Sequence, residues 1–360
     1  MSGQDAEMDS ALDRFGRAQF ALVDLLRRSR GDAVAALGLG PSECPYRVTA
    51  SGPHWRLRDY GGDATPSLLI VAAPIKRPYI WDLAPSASAI RGCLREGLRV
   101  HLLEWLPASR DDGHIGLDDT ALIIADCVAR VAAAGRPFLV GHSLGGTLAA
   151  IHAAAAPDSV SGLVLLSAPL CFQPRTSDFR DTLVSLAPPM LSESEPFPGS
   201  LLSHMSALAA PHAFVWERMM DAALSLADGH ALEIHGRIER WALDEVALPG
   251  KLVRQIIDDL YRDDRFYRGE LAVRGDVIGP ARLAAPTLAV VNTGDDVAPP
   301  AAIEPFIAAM PAGVGRIIHY PGEIGVGLQH LGILVGRNAQ AEIWPQIFAW
   351  MHAPYDGALQ

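Results

Sequence analysis

The sequence lacks the features that are typical of metal-binding, disulfide-rich and nucleic-acid-binding proteins. Its four cysteines (Cys44, Cys93, Cys127 and Cys171) are far apart and form no C-x-x-C pair, which argues against a zinc-binding or disulfide-rich pattern. Basic residues are scarce too, because 30 lysines and arginines stand against 41 aspartates and glutamates, for a net charge of −11. Nucleic acid is therefore not an expected partner, since phosphates need clustered positive charge. We expect reduced thiols and no metal site.

Long hydrophobic runs are also missing. Residues such as Asp126, Arg130 and His142 interrupt the apolar stretches well before the length of about 18 residues that a membrane span needs. The first residues, MSGQDAEMDSALDRF, are acidic and polar, whereas a secretory signal has a basic flank and an apolar run. These absences predict a cytoplasmic protein without a membrane span.

Short, continuous apolar runs alternate with helical stretches over much of the chain. The runs are SLLIVA (67–72), RVHLLEW (99–105), FLV (138–140), SGLVLLSAP (161–169), PTLAVVN (286–292) and GRIIHYP (315–321). Continuous apolarity indicates strands that are covered on both faces, as in a parallel sheet wound by helices. The sequence therefore predicts an α/β fold with a mostly parallel, doubly wound sheet.

The strand pattern stops between Leu170 and roughly Ala285, where the sequence is mostly helical. An insertion of about 115 residues is too long for an ordinary loop, so we interpret it as a helical cap. The amphipathic N-terminal stretch, with apolar positions from Leu12 to Leu25, need not join the core. We predict a helical accessory segment at 1–45, a first core part at 46–170, a cap at 171–285 and a second core part at 286–360.

One stretch carries a chemical motif. The sequence FLVGHSLGGTLAAIHAAAA (138–156) runs from an apolar strand through Ser143 into an alanine-rich helix. Gly141-x-Ser143-x-Gly145 matches the nucleophile elbow of α/β-hydrolases, whose tight turn holds the serine hydroxyl above the sheet. A turn that merely packs tightly would show the same motif. The hypothesis that Ser143 is catalytic therefore requires a base and an acid elsewhere in the sequence.

Both partners are present in the order that this fold uses, acid and then histidine, after the last strands. In VVNTGDDVAPP the carboxylate four residues before a proline is the usual acid, which selects Asp295 over Asp296. His330 follows the final strand in the loop GLQHLGILVG. The competitor His319 lies inside the strand RIIHYP, where we expect it to point into a layer of the fold as a structural histidine. Ser143, Asp295 and His330 are thus the predicted triad.

An acyl-transfer site also needs two backbone N–H groups for the developing oxyanion. The elbow supplies one at Leu144, and the loop VAAPIKRPYIWDL supplies the other. Pro74 has no N–H, so Ile75 is the first candidate and Lys76 the second. We expect His142 and Trp241 to contact substrate. Together with Trp241, the cap residues Phe214, Trp216 and Met219 are expected to cover the serine or to form the core of the cap.

Several separated segments resemble the polyhydroxyalkanoate synthase family, in particular the short class that works with a second subunit. The first is PSLLIVAAPIKRPYIWDLAPSASAIRGCLREGLRV, which resembles the family's paired prolines, Ile-Asn-Lys and Tyr-Ile-x-Asp-Leu. The cap segment WALDEVALPGKLVRQIIDDLYRDDRFYRGELAVRGDVI resembles its Leu-Pro-Gly and Gly-x-Leu-x-Val-x-Gly landmarks. The family's Asp-His-Ile-Val-Pro and its histidine-containing end correspond to DDVAPP and QHLGILVGRNAQAEIWPQIFAWM. The resemblance spans roughly residues 66–352 and implies an α/β-hydrolase fold.

Three departures from the family limit what the resemblance implies. Ser143 stands where the family has a nucleophilic cysteine, Ala72 and Ala73 replace the paired prolines, and Lys76-Arg77 replaces Asn-Lys. A thiolate exchanges readily with coenzyme A thioesters, and chain extension needs an acyl-enzyme that waits for the next hydroxyl. A serine ester is an ordinary intermediate of hydrolysis. The serine therefore favours hydrolysis.

The resemblance implies acyl groups of the 3-hydroxyalkanoate type, as esters, thioesters or short polyesters. Three functions stay open: a serine hydrolase, which the nucleophile favours; an acyltransferase that polymerises 3-hydroxyacyl groups; and a non-catalytic relative that binds granules or a synthase. No cofactor is expected, although a coenzyme A thioester would serve as substrate. A homodimer or a second synthase-type subunit, and association with polyester granules, are implied in the same way.

Overall fold

A computed structural model describes residues 19–20, 22–62, 64–187 and 192–353. The N-terminal positions Leu12 and Phe15 lie outside the described residues. Residues 22–34 form a helix, called the N-terminal helix below, which continues into a π-helical turn at Ala35–Leu39. No helix within the described ranges is long and apolar enough to cross a bilayer.

The centre of the described structure is one mixed sheet. Its strands are β1 (Arg47–Gly52), β2 (Trp55–Gly61), β3 (Ala64–Val71), β4 (Leu98–Trp105), β5 (Phe138–His142), β6 (Gly162–Leu166), β7 (Thr287–Asn292) and β8 (Gly315–Tyr320). They lie side by side in the order β1-β2-β4-β3-β5-β6-β7-β8. The pairs β1–β2 and β2–β4 are antiparallel and the other pairs are parallel. The predicted α/β fold with a mostly parallel, doubly wound sheet is confirmed.

Apolar side chains cover both faces of this sheet. Along β3, Leu68 and Ile70 belong to the apolar cluster on one face, and Leu69 and Val71 belong to the cluster on the other. Successive side chains of a strand point to opposite faces, so a strand that is buried on both sides must be apolar at every position. This is the physical reason for the continuous apolar runs in the sequence.

Helices surround the sheet and fill the region between β6 and β7. The α-helices are α1 (Ala89–Arg95), α2 (Leu117–Val131), α3 (Leu144–Ala155), α4 (Asp178–Leu186), α5 (Gly199–Ala209), α6 (Arg218–Ser225), α7 (Gly229–Ala242), α8 (Gly250–Gln255), α9 (Arg265–Arg268), α10 (Glu304–Ala308), α11 (Gly332–Val335) and α12 (Trp344–His352). π-Helical turns lie at His212–Glu217, Ile256–Arg262 and Ala339–Ile343. Short 3₁₀ turns lie at Pro78–Trp81, Arg110–Asp112, Ala132–Ala134, Pro157–Ser159, Pro280–Arg282, Pro300–Ala302 and Gln329–Leu331.

The helices α4 to α9 form the helical region that we call the cap. Side chains cap the N-termini of two of them. Ser177 accepts a hydrogen bond from the N–H of Arg180 at the start of α4. Asp228 accepts hydrogen bonds from the N–H groups of His230 and Ala231 at the start of α7. Two small hairpins lie outside the large sheet. One pairs Leu271–Val273 with Asp276–Ile278 just after α9, and the other pairs Asp82–Ala84 with Ala87–Ser88 just before α1.

Candidate active site

Ser143 lies at a strained turn between β5 and α3. Its backbone has φ 54° and ψ −136°, a conformation that few residues other than glycine adopt and that is typical of a nucleophile elbow. The turn is tight because α3 starts against β3: a Cβ added at Gly145 would lie 2.3 Å from the carbonyl oxygen of Val71. The N–H of Ser143 donates to the carbonyl oxygen of Leu166 on β6, at 3.0 Å. The serine is thus held at the carboxyl ends of the central strands.

Asp295 and His330 form a buried pair beside the elbow. Nδ1 of His330 lies 2.6 Å from Oδ2 of Asp295, and Oδ1 of Asp295 accepts from the N–H groups of Val297 and Ala298 at 2.9 and 3.1 Å. Burial alone would raise the pKa of Asp295, but His330 and these donors outweigh it and lower the pKa. An ionised carboxylate only accepts hydrogen bonds, so Nδ1 of His330 carries the proton and Nε2 is the basic nitrogen.

His330 and Ser143 line the same cavity. Nε2 of His330 is buried and has no hydrogen-bond partner among the described residues, Ser143 included. Catalytic hydrogen bonds are often long before a substrate binds, so the missing hydrogen bond between His330 and Ser143 is compatible with His330 acting as the base. The structure thus brings the three residues of the predicted triad to one place.

His142, the residue before the serine, is tied to the backbone of His330. Its Nε2 lies 2.7 Å from the carbonyl oxygen of His330, and the two rings stand 4.7 Å apart at an angle of 48°. Burial, followed by the neighbouring His330, lowers the pKa of His142 to about 3, so the ring is neutral near neutral pH. A carbonyl oxygen only accepts, so Nε2 of His142 donates. This hydrogen bond holds the backbone at His330 in place, while contact between His142 and a substrate stays a prediction.

The depressed pKa of His142 leads to a prediction about stability. A histidine in the unfolded chain titrates near about 6.5, so below that pH the unfolded chain binds a proton that the folded chain does not. His142 should therefore make its whole contribution to the free energy of unfolding above this pH. Below it, protonation of the unfolded chain should lower the free energy of unfolding by at most about 1.4 kcal/mol per pH unit. Urea unfolding at about pH 7 and about pH 5 measures the slope.

The matched variant for this measurement is His142→Gln. The glutamine amide retains a donor for the carbonyl oxygen of His330 and does not titrate. We expect its free energy of unfolding to depend less steeply on pH than that of the wild type. Equal slopes would contradict the assignment of a buried, neutral His142.

Of the two predicted oxyanion donors, Leu144 follows Ser143 directly and Ile75 lines the same cavity as the serine. Leu144 is the first residue of α3, and its N–H has no hydrogen-bond partner within the described chain. Ile75 lines the cavity, and its carbonyl oxygen accepts from the N–H of Val246 at 3.0 Å. A Cβ at Gly145 would lie 2.8 Å from the nitrogen of Ala73, whose N–H also has no partner in the described part of the chain. Ala73 therefore joins Ile75 as a candidate for the second donor.

The cavity has a volume of about 310 Å³, at the lower end of the range for small-molecule sites. Trp241 lines it and is fixed by a hydrogen bond from Nε1 to the carbonyl oxygen of Arg77, at 2.7 Å. Phe214 also lines it, and its ring lies 6.1 Å from that of Phe179 at an angle of 34°. Trp216 and Met219, expected either to cover the serine or to form the core of the cap, are instead about 60% exposed. This expectation was wrong because these residues occupy the outer face of the cap helices.

A charged cluster forms part of the cavity wall. Nζ of Lys76 donates to Oε1 of Glu245 (3.2 Å), Oγ of Ser203 (3.3 Å) and the carbonyl oxygen of Ala242 (2.6 Å). Burial lowers the pKa of Lys76 to about 8, and Glu245 opposes this shift. Arg27 of the N-terminal helix binds the same carboxylate oxygen through Nε, at 2.9 Å.

The sequence did not predict two of the residues that line the cavity. Arg27 and His204 line the cavity, although they come from the N-terminal helix and from α5. No spacing in the sequence connects either residue with the elbow, so only the folded chain reveals them. The N-terminal helix, which the sequence predicts as accessory, thus contributes a side chain to the cavity wall.

The two competitors of the predicted triad lie at the surface. Asp296 is exposed, and its potential ligand atom lies within 4.8 Å of those of His212 and Glu217. His212 is exposed as well, and the absence of a metal site remains a prediction. His319 binds Glu304 at 2.8 Å and has a half-exposed side chain. We expected it to point into a layer, but β8 is the edge strand of the sheet.

Residues 83–320 match the alpha/beta hydrolase fold family, and the chain belongs to that family. Among solved structures, the chain resembles the non-heme bromoperoxidase BpoC from Mycobacterium tuberculosis, with TM-score 0.56, 17% identity and coverage of 85% of this chain and 100% of that one. It also resembles a monoacylglycerol lipase from Paleococcus ferrophilus, with TM-score 0.51, 17% identity and coverage of 83% and 98%. These likenesses show the fold alone.

Within this class, the chain is similar to poly(3-hydroxyalkanoate) polymerase subunits. It is 29% identical over 290 residues to the subunit PhaC of Haloferax mediterranei. This alignment covers 79% of this chain and 58% of that protein. It is 27% identical over 295 residues to PhaC of Allochromatium vinosum, with coverage of 79% and 80%. The chain thus spans 58% of the Haloferax relative and 80% of the Allochromatium relative. The chain is thus a protein of the alpha/beta hydrolase fold that is similar in sequence to polyhydroxyalkanoate synthases.

Proposed function

We propose that this chain is a serine hydrolase that forms an acyl-enzyme at Ser143 on 3-hydroxyalkanoate-type esters, thioesters or short polyesters. The observation that carries the proposal is the serine on a strained elbow, in one cavity with a histidine that is fixed by Asp295 and has a free Nε2. A serine hydroxyl is a weak nucleophile until such a base accepts its proton.

The proposed reaction has two halves. His330 accepts the proton of Ser143 as Oγ attacks the acyl carbon, and the N–H of Leu144 with that of Ile75 or Ala73 stabilises the oxyanion. The leaving alcohol or thiol departs with the proton that His330 returns. A water molecule then gives a proton to His330 and attacks the acyl-enzyme. The bond between the acyl carbon and Oγ breaks, His330 passes that proton to Ser143, and the free acid is released. Asp295 holds the imidazole and stabilises its charged form throughout.

The substrate class comes from the similarity to polymerase subunits and from the cavity. Side chains such as Trp241, Phe214 and Leu328 offer apolar surface to an acyl chain. A cavity of about 310 Å³ suits a short acyl group better than a long one. A coenzyme A thioester and a soluble ester both present the acyl carbon that the mechanism needs, and neither requires a cofactor.

The similarity to polymerase subunits favours one other function, a polymerising acyltransferase that uses serine. The two functions differ only in what attacks the acyl-enzyme, water or the hydroxyl of another 3-hydroxyacyl group. A partner subunit or a granule surface would favour polymerisation by excluding water from the site.

Analysis of the products from 3-hydroxybutyryl-coenzyme A separates these functions. We expect one free 3-hydroxybutyrate for each coenzyme A released, because a serine ester is readily hydrolysed. Oligomers of 3-hydroxybutyrate in place of the free acid would overturn the hydrolase in favour of the acyltransferase. The matched variant Ser143→Cys restores the nucleophile of the synthase family and tests whether the nucleophile alone changes the product.

A fluorophosphonate probe provides the control for this measurement. It should label wild-type protein at Ser143 and fail to label Ser143→Ala. A wild-type protein that releases no coenzyme A, cleaves no soluble ester and resists the probe would leave only the non-catalytic binding role.

A further inference from the structure

A carboxylate of the cap holds the segment that leads to the catalytic histidine. We call residues 321–328, between β8 and the 3₁₀ turn that carries His330, the histidine loop. Asp221 on α6 is 8% exposed, and its Oδ1 accepts from the N–H of Gly325 at 2.6 Å. Its Oδ2 accepts from the N–H of Gly327 at 2.9 Å. One cap residue thus binds two backbone groups of this loop.

A second cap helix completes the contact. Nδ1 of His235 on α7 lies 3.0 Å from Oδ2 of Asp221 and is itself buried. The hydrogen bonds from His235, Gly325 and Gly327 outweigh burial and keep the pKa of Asp221 below its usual value, so it is an ionised acceptor. The other nitrogen of His235 faces Glu239, at 3.8 Å.

The histidine loop fits closely under α7. Gly327 has φ 68°, and a Cβ there would lie 3.0 Å from Cγ2 of Ile238. A left-handed backbone beneath a packed helix suits glycine. The loop therefore approaches α7 closely enough for its N–H groups to reach Asp221.

His330 is consequently held from two sides. The core holds it through Asp295 and His142. The cap holds the chain at Gly327, only three residues before His330. Moving α6 and α7 away from the core would either break the bonds to Asp221 or pull on the segment that carries the base.

We propose that Asp221 is a positioning residue that couples the cap to the catalytic base. When the bonds from Gly325 and Gly327 are made, His330 is aligned for Ser143. When the cap moves, the alignment is lost, so the closed cap and the active base occur together. The inference rests on the proposed function, because it assumes that His330 acts as the base.

The test compares Asp221→Asn with Glu233→Gln. An asparagine oxygen can accept from one loop N–H, but its NH₂ group faces the other as a second donor, so the loop loses a contact. Glu233 is an exposed carboxylate on α7 that binds Arg237 of the same helix, so Glu233→Gln is a matched loss of charge without loss of a loop contact.

Two readouts are needed. Hydrogen exchange should become faster at 321–331 in Asp221→Asn and stay unchanged at 138–156 around the elbow. The rate constant for fluorophosphonate labelling of Ser143, and kcat for a soluble ester, should each fall about 10-fold or more, while KM changes less than about 2-fold. Glu233→Gln should match the wild type in both. A purely structural role would lower the melting temperature without this split between kcat and KM.

The outcomes separate the two ideas. Wild-type protein that the probe does not label overturns the proposed function and the coupling with it. Labelled wild type together with an Asp221→Asn variant whose loop exchange is unchanged overturns the coupling alone. So does a variant whose loop exchanges faster while its labelling rate stays at the wild-type value. If Asp221→Asn fails to fold, His235→Gln, which removes the imidazole from Asp221, replaces it, with the same changes expected at a smaller size.

Discussion

Ser143→Ala is expected to lower kcat by about 10⁴-fold or more and to abolish labelling by a fluorophosphonate probe. The reason is that the hydroxyl at the elbow is the atom that becomes acylated, and alanine leaves the base without a nucleophile. Steady-state and pre-steady-state hydrolysis of a chromogenic ester measures both the turnover and the burst of released alcohol. The fold should survive, because alanine is smaller than serine.

The control is Ser161→Ala, which removes a hydroxyl that binds the carbonyl oxygen of Arg136 at the surface. Its kcat should stay close to that of the wild type. A burst of product that persists in folded Ser143→Ala would mean that another residue is the nucleophile.

Asp295→Asn is expected to lower kcat by about 10³- to 10⁴-fold. The asparagine amide can donate to Nδ1 of His330, which favours the tautomer that carries its proton on Nε2 and cannot accept one from Ser143. The neighbour provides the comparison, because Asp296 is exposed and lies beside His212 rather than His330. Asp296→Asn should lower kcat by no more than about 3-fold.

Measuring kcat for both variants on one soluble ester decides between the two carboxylates. A severe loss in Asp296→Asn together with a mild loss in Asp295→Asn would show that the acid of the triad has been placed on the wrong residue. His330→Ala belongs to the same series and should resemble Asp295→Asn, whereas His319→Ala should resemble Asp296→Asn.

The predicted fold and elbow depended on local patterns. Continuous apolar runs predict buried strands because burial on both faces is a property of each strand separately. The elbow joins a strand to a helix over a few residues, so Gly141, Ser143 and Gly145 are adjacent in the sequence as well as in space. The acid and the histidine of this fold follow the later strands in a fixed order along the chain, so their positions could also be predicted from the sequence.

Contacts between distant segments could not be predicted in this way. Ala73 approaches the first turn of α3 only because β3 and β5 pair, and Asp221 meets Gly327 across 106 residues of chain. The inward or outward direction of the cap side chains depends on how the turn at His212–Glu217 packs, so Phe214 and Trp216 could not be told apart by residue type. His319 was expected inside a layer because the sequence does not say which strand forms the edge.

The cluster of Arg27, Lys76 and Glu245 has a consequence for association kinetics. One carboxylate oxygen serves two cations, so this part of the cavity wall carries a local excess of positive charge within a chain whose net charge is −11. A local field of this kind attracts an anionic ligand even when the protein as a whole repels it, and salt screens the effect. If the proposed function holds, a negatively charged coenzyme A thioester would be attracted by this part of the cavity wall, whereas a neutral ester would reach the cavity by diffusion alone.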